Sequence, residues 1–142
     1  MKEKDCPCFS GKLYKLCCKP FHEGVLPTNA LELMRSRYCA YAMRFTKYII
    51  ATTHPDNPHY EKNHQAWMRS LMNFSKNTRF EGLNIIEFID GDKEAYVTFE
   101  ALLTQHGNDA SFVEKSRFVK SDEKWLFREA NEINSNINIV KF

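Results

Sequence analysis

The sequence predicts an α+β fold preceded by a small metal knuckle. Three observations carry this: four cysteines crowded into residues 6–18, a helical period from about residue 29 to 77, and a two-residue period from about 83 to 130. Helices first and strands after argue for a curved, cone-shaped antiparallel sheet packed on a long helix. A chain of 142 residues, 43% hydrophobic and 13% aromatic, has the material for one core. The expected divisions are a knuckle over 1–24, an α+β domain over 25–130, and an asparagine- and isoleucine-rich tail or added edge strand over 131–142.

The knuckle is read from Cys6-Pro7-Cys8 and Cys17-Cys18, two close-set pairs on either side of an eight-residue loop. Two pairs of soft thiolates on such a loop suit one tetrahedral Zn²⁺, and Ser10-Gly11 gives the loop its corner. The segment has too few apolar residues to hold itself by a core. With all four positions filled by protein, the ion is structural, one per chain. Two alternatives stay open. The thiols could form disulfides, for instance Cys6 to Cys17 and Cys8 to Cys18. His22 could also replace one cysteine, because adjacent ligands such as Cys17 and Cys18 need a tight turn. Met1-Lys2-Glu3-Lys4-Asp5 is charged and no apolar stretch follows it, so a cytoplasmic location is expected, where thiols go to metal rather than to disulfides. No apolar run is long enough to span a membrane. Lys12, Lys15 and Lys19 stand where they offset the net negative charge of a tetrathiolate zinc site. Cys39 stands apart and reads as a small core residue.

After Gly24 a link ends at Pro27-Thr28. Asn29, with Glu32 three residues on, makes a capping-box-like start. Met34, Tyr38, Tyr41, Phe45, Tyr48 and Thr52 then recur at helical spacing, predicting one long helix stopped by His54-Pro55. Asn57-Pro58 reads as the cap and first residue of a second helix, lined by Tyr60, His64, Trp67, Leu71 and Phe74 and ending by Asn77. Strands are predicted over 83–90, 94–105, 111–120 and 125–130. The breaks at Asp90-Gly91-Asp92, Gly107-Asn108-Asp109 and Ser121-Asp122-Glu123 have hairpin chemistry, so the strands should form an antiparallel meander.

The third strand carries a candidate pocket. Phe112, Glu114, Ser116 and Phe118 share one face, so an inward aromatic face takes Glu114 and Ser116 with it. A buried carboxylate needs a partner, which Arg35, Arg37, Tyr38 or Tyr41 could supply. Tyr38, Tyr41, Trp67, Phe99, Glu114 and Ser116 are the expected lining, as a small polar pocket or as a satisfied core network. His54, Asp56 and His59 lie close together around two prolines, where capping chemistry explains them. Arg35, Arg37, Arg44 and Lys47 read as a solvated basic face. A pI of 8.2 with two excess positive charges is too mild to imply direct nucleic-acid binding. No Gly-rich phosphate loop and no nucleophile elbow are present.

Cys-Pro-Cys-x-Ser-Gly-x-x-Tyr-x-x-Cys-Cys resembles the SEC-C zinc motif at the carboxyl tail of the bacterial preprotein translocase ATPase. There the last pair is commonly Cys-His; here it is Cys17-Cys18. Lys19-Pro20-Phe21-His22-Glu23-Gly24 and Leu33-Met34-Arg35-Ser36-Arg37-Tyr38-Cys39-Ala40-Tyr41-Ala42 resemble the YchJ family of uncharacterised bacterial proteins. Glu114-Lys115-Ser116-Arg117-Phe118-Val119 and Trp125 are similar to that family's carboxyl-terminal signature. The resemblance runs from about position 5 to 130. It implies a SEC-C knuckle followed by a cystatin-like domain of the nuclear transport factor 2 (NTF2) fold, with no established activity. It also implies a binding or adaptor role, the knuckle docking to a protein partner of the secretion chaperone or ribosome type, with any nucleic-acid contact indirect. The alternative is a small-molecule binder or a lyase- or isomerase-type enzyme using the pocket. Such an enzyme should carry a His–Asp or Tyr–Asp pair. Glu114 is the one well-placed carboxylate and no histidine is placed to join it, so no catalytic residue is assigned and binding is the preferred class.

Overall fold

A 3-10 turn at Tyr14–Leu16 and helix α1 (Lys19–His22) follow the first cysteines, and three more helices come before the sheet: α2 (Ala30–Met43), α3 (Thr46–Ala51) and α4 (His64–Lys76). The strands are β1 (Thr78–Ile89), β2 (Glu94–Gln105), a two-residue β3 (Asn108–Asp109), β4 (Phe112–Ser121) and β5 (Lys124–Ser135). The computed structural model describes residues 3–135, with side chains as far as Asn131.

Asn29 caps α2 as its spacing from Glu32 predicts. Its side chain accepts the Glu32 N–H at 2.9 Å, and the Glu32 carboxylate reaches back to the Thr28 N–H at 2.8 Å. The single long helix expected from the aromatic stripe is instead two. At Arg44 the backbone turns left-handed, φ 64° and ψ 36°. The Arg44 N–H bonds to the Tyr41 carbonyl at 3.3 Å and the Phe45 N–H to the Ala40 carbonyl at 2.8 Å. These two bonds are a Schellman closure. The break reorients α3 so that Thr46, Ile49 and Ile50 are buried while Phe45, at the corner, is partly exposed.

The start of α4 also differs from expectation. Asn63 is its cap, accepting the Ala66 N–H at 3.1 Å. Asn57, expected in that role, accepts the His59 N–H at 2.8 Å in a local turn and donates to the Arg128 carbonyl at 3.1 Å. It therefore pins the loop to β5 rather than opening a helix. The expected apolar line still holds, with Trp67 and Leu71 buried and Tyr60 packed on Trp67.

The sheet is the predicted antiparallel meander, in the order β1-β2-β4-β5, with β3 beside β2. The sheet is open and curved, and its register shifts lie where curvature is needed, at Phe80/Gly82 and Ile85/Glu87 in β1 and at two places between β4 and β5. Gly82 stands at the first of these. A Cβ there would stand 2.8 Å from Leu102 Cδ1, and the Gly82 carbonyl accepts the Tyr38 hydroxyl at 2.9 Å. Residues 131–135, expected as tail or added strand, continue β5; the rest of that expected segment lies outside the described residues. α2 lies against the sheet, burying Leu33, Met34, Tyr38 and Tyr41 with Val97, Phe99, Ala101 and Phe118. Each large apolar side chain so buried contributes about 1.5–3 kcal/mol. Among the described residues no helix is long and apolar enough to cross a membrane.

Candidate metal centre

The knuckle is a folded-back ribbon. Asp5 pairs with Leu13, the Cys6 N–H bonds to the Lys12 carbonyl at 2.8 Å, and the Tyr14 N–H bonds to the Lys4 carbonyl at 3.0 Å. The reversal runs through Phe9 at φ 60° and Gly11 at φ 86°, the corner expected at Ser10-Gly11. Cys17 and Cys18 then occupy the step between the 3-10 turn and α1, the tight turn that adjacent ligands need.

The fold brings the four predicted cysteines together. The Sγ atoms of Cys6, Cys8, Cys17 and Cys18 all lie within 4.8 Å of one another. Cys8 to Cys17 is 3.6 Å and Cys17 to Cys18 is 4.0 Å. A tetrahedron with metal–sulfur bonds of about 2.3 Å has sulfur–sulfur edges of about 3.8 Å. The donor set and spacing therefore fit a metal ion. The same distances exclude the disulfide alternative in this structure, where all five cysteines are free. Burial pushes the Cys17 thiol up to about 11; the neighbouring Cys8 and Cys6 sulfurs add to this and the Ser10 hydroxyl, 3.2 Å from Cys17 Sγ, works against it. A largely buried tetrad of this kind is stable as thiolates only with a cation at its centre.

His22, the alternative ligand, is engaged elsewhere. Its Nε2 donates to the Ser36 carbonyl at 2.9 Å and its Nδ1 accepts the Tyr14 hydroxyl at 2.9 Å. That tautomer is neutral, consistent with burial lowering the His22 pKa against the opposing pull of the Ser36 bond. The ring stands edge-on to Phe45 and Tyr48, at 5.1 and 4.8 Å between centroids. His22 thus joins the knuckle to α2 and α3 rather than to a metal.

Two residues around the centre escaped the sequence reading. Cys39 does not stand apart: its Sγ is 3.9 Å from that of Cys6, and it belongs to the cysteine cluster. Arg35 is not on a solvated basic face, since its Nη1 donates to the Cys8 carbonyl at 2.9 Å and approaches Cys8 Sγ at 3.9 Å. Both come from α2, so no local spacing links them to residues 6–18. The run Leu33 to Ala42, which carries part of the family resemblance, contains both but assigns neither a role at the centre. Of the expected lysines, Lys15 pairs with Glu3 outside the centre.

The expected pocket residues are core residues here. Tyr38, Tyr41, Phe99, Glu114 and Ser116 are each exposed by 1% or less, and Trp67 by 7%. β4 has the inward register that puts Glu114 opposite Phe99 and Ser116 opposite Val97. Ser116 Oγ donates to Glu114 Oε2 at 2.8 Å. Arg37, 2% exposed, is a second departure from the solvated face. Its Nη1 donates to the Ile49 carbonyl and the Thr52 and Thr53 hydroxyls at 2.8–3.0 Å, and its guanidinium lies 4.7 Å over the Phe127 ring. Burial lowers the Arg37 pKa, while Tyr41, Tyr48 and Glu114 hold it up. Burial likewise pushes Tyr41 up to about 12. Tyr41, Glu114, Ser116 and Arg37 therefore form one polar neighbourhood. Tyr38 directs its hydroxyl to Gly82, and Trp67 packs on Tyr60 and His64. At His54–Asp56–His59 the contacts are turn contacts, with His54 Nδ1 accepting the Asp56 N–H at 3.0 Å. An open cleft of about 360 Å³ lies elsewhere, beside His22 and lined by Arg44, Phe45, Lys47, Tyr48 and Met68.

Residues 29–130 match the family described as YchJ, middle NTF2-like domain. The chain is 36% identical over 133 residues to UPF0225 protein SG1365 of Sodalis glossinidius (strain morsitans), covering 90% of this chain and 83% of that one. Among solved structures it is similar to RPA3114, a SEC-C motif containing protein from Rhodopseudomonas palustris, with a TM-score of 0.78 and 28% identity over 92% of this chain and all of the other. A SEC-C motif containing protein from Psychrobacter arcticus shares the fold, with a TM-score of 0.71 at 24% identity over 95% of this chain and 84% of that one.

Proposed function

The chain belongs to the YchJ family, and from that premise we propose that it is a zinc-containing adaptor whose knuckle docks a protein partner. The observation that carries the metal assignment is the tetrad of Cys6, Cys8, Cys17 and Cys18 sulfurs, three of them buried and all within 4.8 Å. Four thiolates select a soft or borderline ion, and Zn²⁺ accepts the tetrahedral cage without a redox demand. The four protein ligands leave no position for a reactive water, so the ion's role is to hold the ribbon. Residence in a reducing compartment, proposed here as the cytoplasm, keeps the thiols available.

Docking is supported by what the knuckle leaves outside. Leu16 is 69% exposed and Phe9 46%, with Val25 and Leu26 exposed on the following link. Large apolar side chains exposed on so small a module suit a partner with an apolar pocket. A secretion chaperone or the ribosome is the partner class that the SEC-C motif implies.

Metal analysis of protein purified without added metal should find close to one zinc per chain, lost in Cys8→Ser. Absence of zinc, or two disulfides by mass spectrometry, would sink the metal assignment. Co-sedimentation with purified ribosomes and gel filtration with a purified secretion chaperone test the partner. One of them should be bound by wild type and released by Leu16→Asp with zinc retained. Binding to neither overturns the docking role as stated.

A further inference from the structure

The five cysteines form one cluster, although only four are needed to fill a tetrahedron. Cys39 packs with Cys6, Cys8 and Cys18, and with Tyr14, Cys17 and Met43, rather than with the main apolar core. A cysteine used merely as a small hydrophobe would sit among aliphatic and aromatic neighbours. Its Sγ is 3.9 Å from Cys6 Sγ, close to the edge of about 3.8 Å expected of a tetrahedral ZnS₄ unit. Cys6, Cys8 and Cys18 are the three buried sulfurs of the tetrad; Cys17 completes it, and Cys39 is a further buried sulfur packed beside it against Cys6.

Cys17 and Cys39 differ. Cys17 is the one cysteine of the five that is partly exposed, and the Ser10 hydroxyl lies 3.2 Å from its sulfur as an alternative partner. Cys39 is wholly buried on α2, where its thiol donates to Met43 Sδ at 3.6 Å. We propose that Cys39 is a fifth sulfur ligand of the centre, exchanging with Cys17 for the fourth coordination position. The proposal rests on the reading of the tetrad as a zinc site. In the exchange a zinc–sulfur bond to Cys17 breaks and one to Cys39 forms. The proton leaving the Cys39 thiol is taken up by the departing Cys17 thiolate, so the charge of the centre is unchanged. With Cys17 bound, the ion belongs to the knuckle alone. With Cys39 bound, it staples the knuckle to α2 and frees a surface thiol without loss of metal.

The test uses the full, zinc-loaded chain. Limiting N-ethylmaleimide is added, and native mass spectrometry reads zinc and adduct on each molecule, with peptide mapping of the adduct. The first adduct should fall on Cys17, and singly modified wild type should keep its zinc. Singly modified Cys39→Ser should lose it, and Cys39→Ala provides the same comparison should the serine fold poorly. Cobalt-loaded Cys17→Ser should retain the sulfur-to-cobalt absorption of four thiolates, and Cys17→Ser/Cys39→Ser should lose about a quarter of it. If wild type releases zinc on modification of Cys17 as readily as the Cys39 variants, the proposal is wrong. A three-sulfur spectrum in Cys17→Ser that Cys39→Ser leaves unchanged overturns it equally. Both of those results leave the zinc assignment standing, whereas wild type that binds neither zinc nor cobalt removes that assignment too.

Discussion

Replacing His22 by alanine should weaken the seam between knuckle and domain without touching the metal. The ring makes two hydrogen bonds, to the Ser36 carbonyl and the Tyr14 hydroxyl, and two edge-on ring contacts, to Phe45 and Tyr48. A net hydrogen bond contributes about 0.5–1.5 kcal/mol. Here the lower end applies, because the Tyr14 hydroxyl is near enough to solvent to turn to water and Ser36 stays within the α2 ladder. Each ring contact adds about 0.5–1.5 kcal/mol beyond the area buried. His22→Ala should therefore lose about 2–4 kcal/mol, which lowers a urea midpoint by about 1–2 M at the m-values usual for small domains. The assay is urea unfolding of metal-saturated protein by tryptophan fluorescence, with metal content measured on the same samples. The bridge also predicts a pH dependence. Burial lowers the folded-state pKa of His22, so below about pH 6.5 the unfolded chain takes up the proton first. That stability is fully present above about 6.5 and declines as pH falls toward the folded pKa, by at most about 1.4 kcal/mol per unit. His22→Gln should remove this part of the slope, leaving the acid sensitivity of the cysteine ligands. A loss under about 0.5 kcal/mol in His22→Ala would refute the bridge. Loss of the metal in His22→Ala, with full retention in Cys18→Ala, would make the histidine a ligand and refute the reasoning outright.

Two further substitutions test the helices and the buried polar neighbourhood. Arg44→Gly should stabilise the protein by about 0.5–1 kcal/mol in the same urea assay, because a Cβ is disfavoured at the left-handed closure of α2; no gain would mean that the corner is not held in that conformation. Glu114→Ala should cost about 3 kcal/mol or more, since it leaves the Ser116 hydroxyl without its acceptor and removes a negative charge that acts on the buried Arg37. A cost below about 1 kcal/mol would place Glu114 in water. If Glu114→Gln instead keeps full stability but loses thermal stabilisation by a compound that stabilises wild type, Glu114 is a ligand-binding group.

What could be read in the sequence was what depends on near neighbours. The four clustered cysteines, the cap at Asn29, the hairpin turns and the inward face of β4 are all set by spacings of a few residues, and each appears where that spacing puts it. The misreadings came from tertiary demands that spacing does not encode. Met34 to Thr52 keeps an unbroken helical period, yet the chain turns at Arg44, where neither glycine nor proline marks a stop, because Ile49 and Ile50 reach the core only from a reoriented α3. Asn57-Pro58 has the chemistry of a helix start, but the Arg128 carbonyl of β5 claims the asparagine. The basic residues of α2 looked solvated because period alone cannot show that β5 covers Arg37 or that the knuckle covers Arg35.

The same division runs through the metal centre. Its local half, residues 6–18, carries the four clustered cysteines and was legible; its distal half, Arg35, Ser36 and Cys39, is supplied by one face of α2. That face turns a self-contained knuckle into one docked by a hydrogen bond to the Cys8 carbonyl, a bridging histidine and a thiol against Cys6. Phe9 adds an edge-on contact to Tyr38, 6.2 Å between centroids. Chelation should then do more than melt the first residues. A structural zinc module loses its fold with its metal, and every one of these contacts would go with it, uncovering the α2 surface of a domain that keeps its own core. Partial destabilisation of the domain, read as a lower urea midpoint with most of the far-ultraviolet signal retained, is the outcome this arrangement requires. An unchanged midpoint would mean that the seam is only touching, and a complete collapse would mean that α2 cannot hold its place on the sheet without the metal.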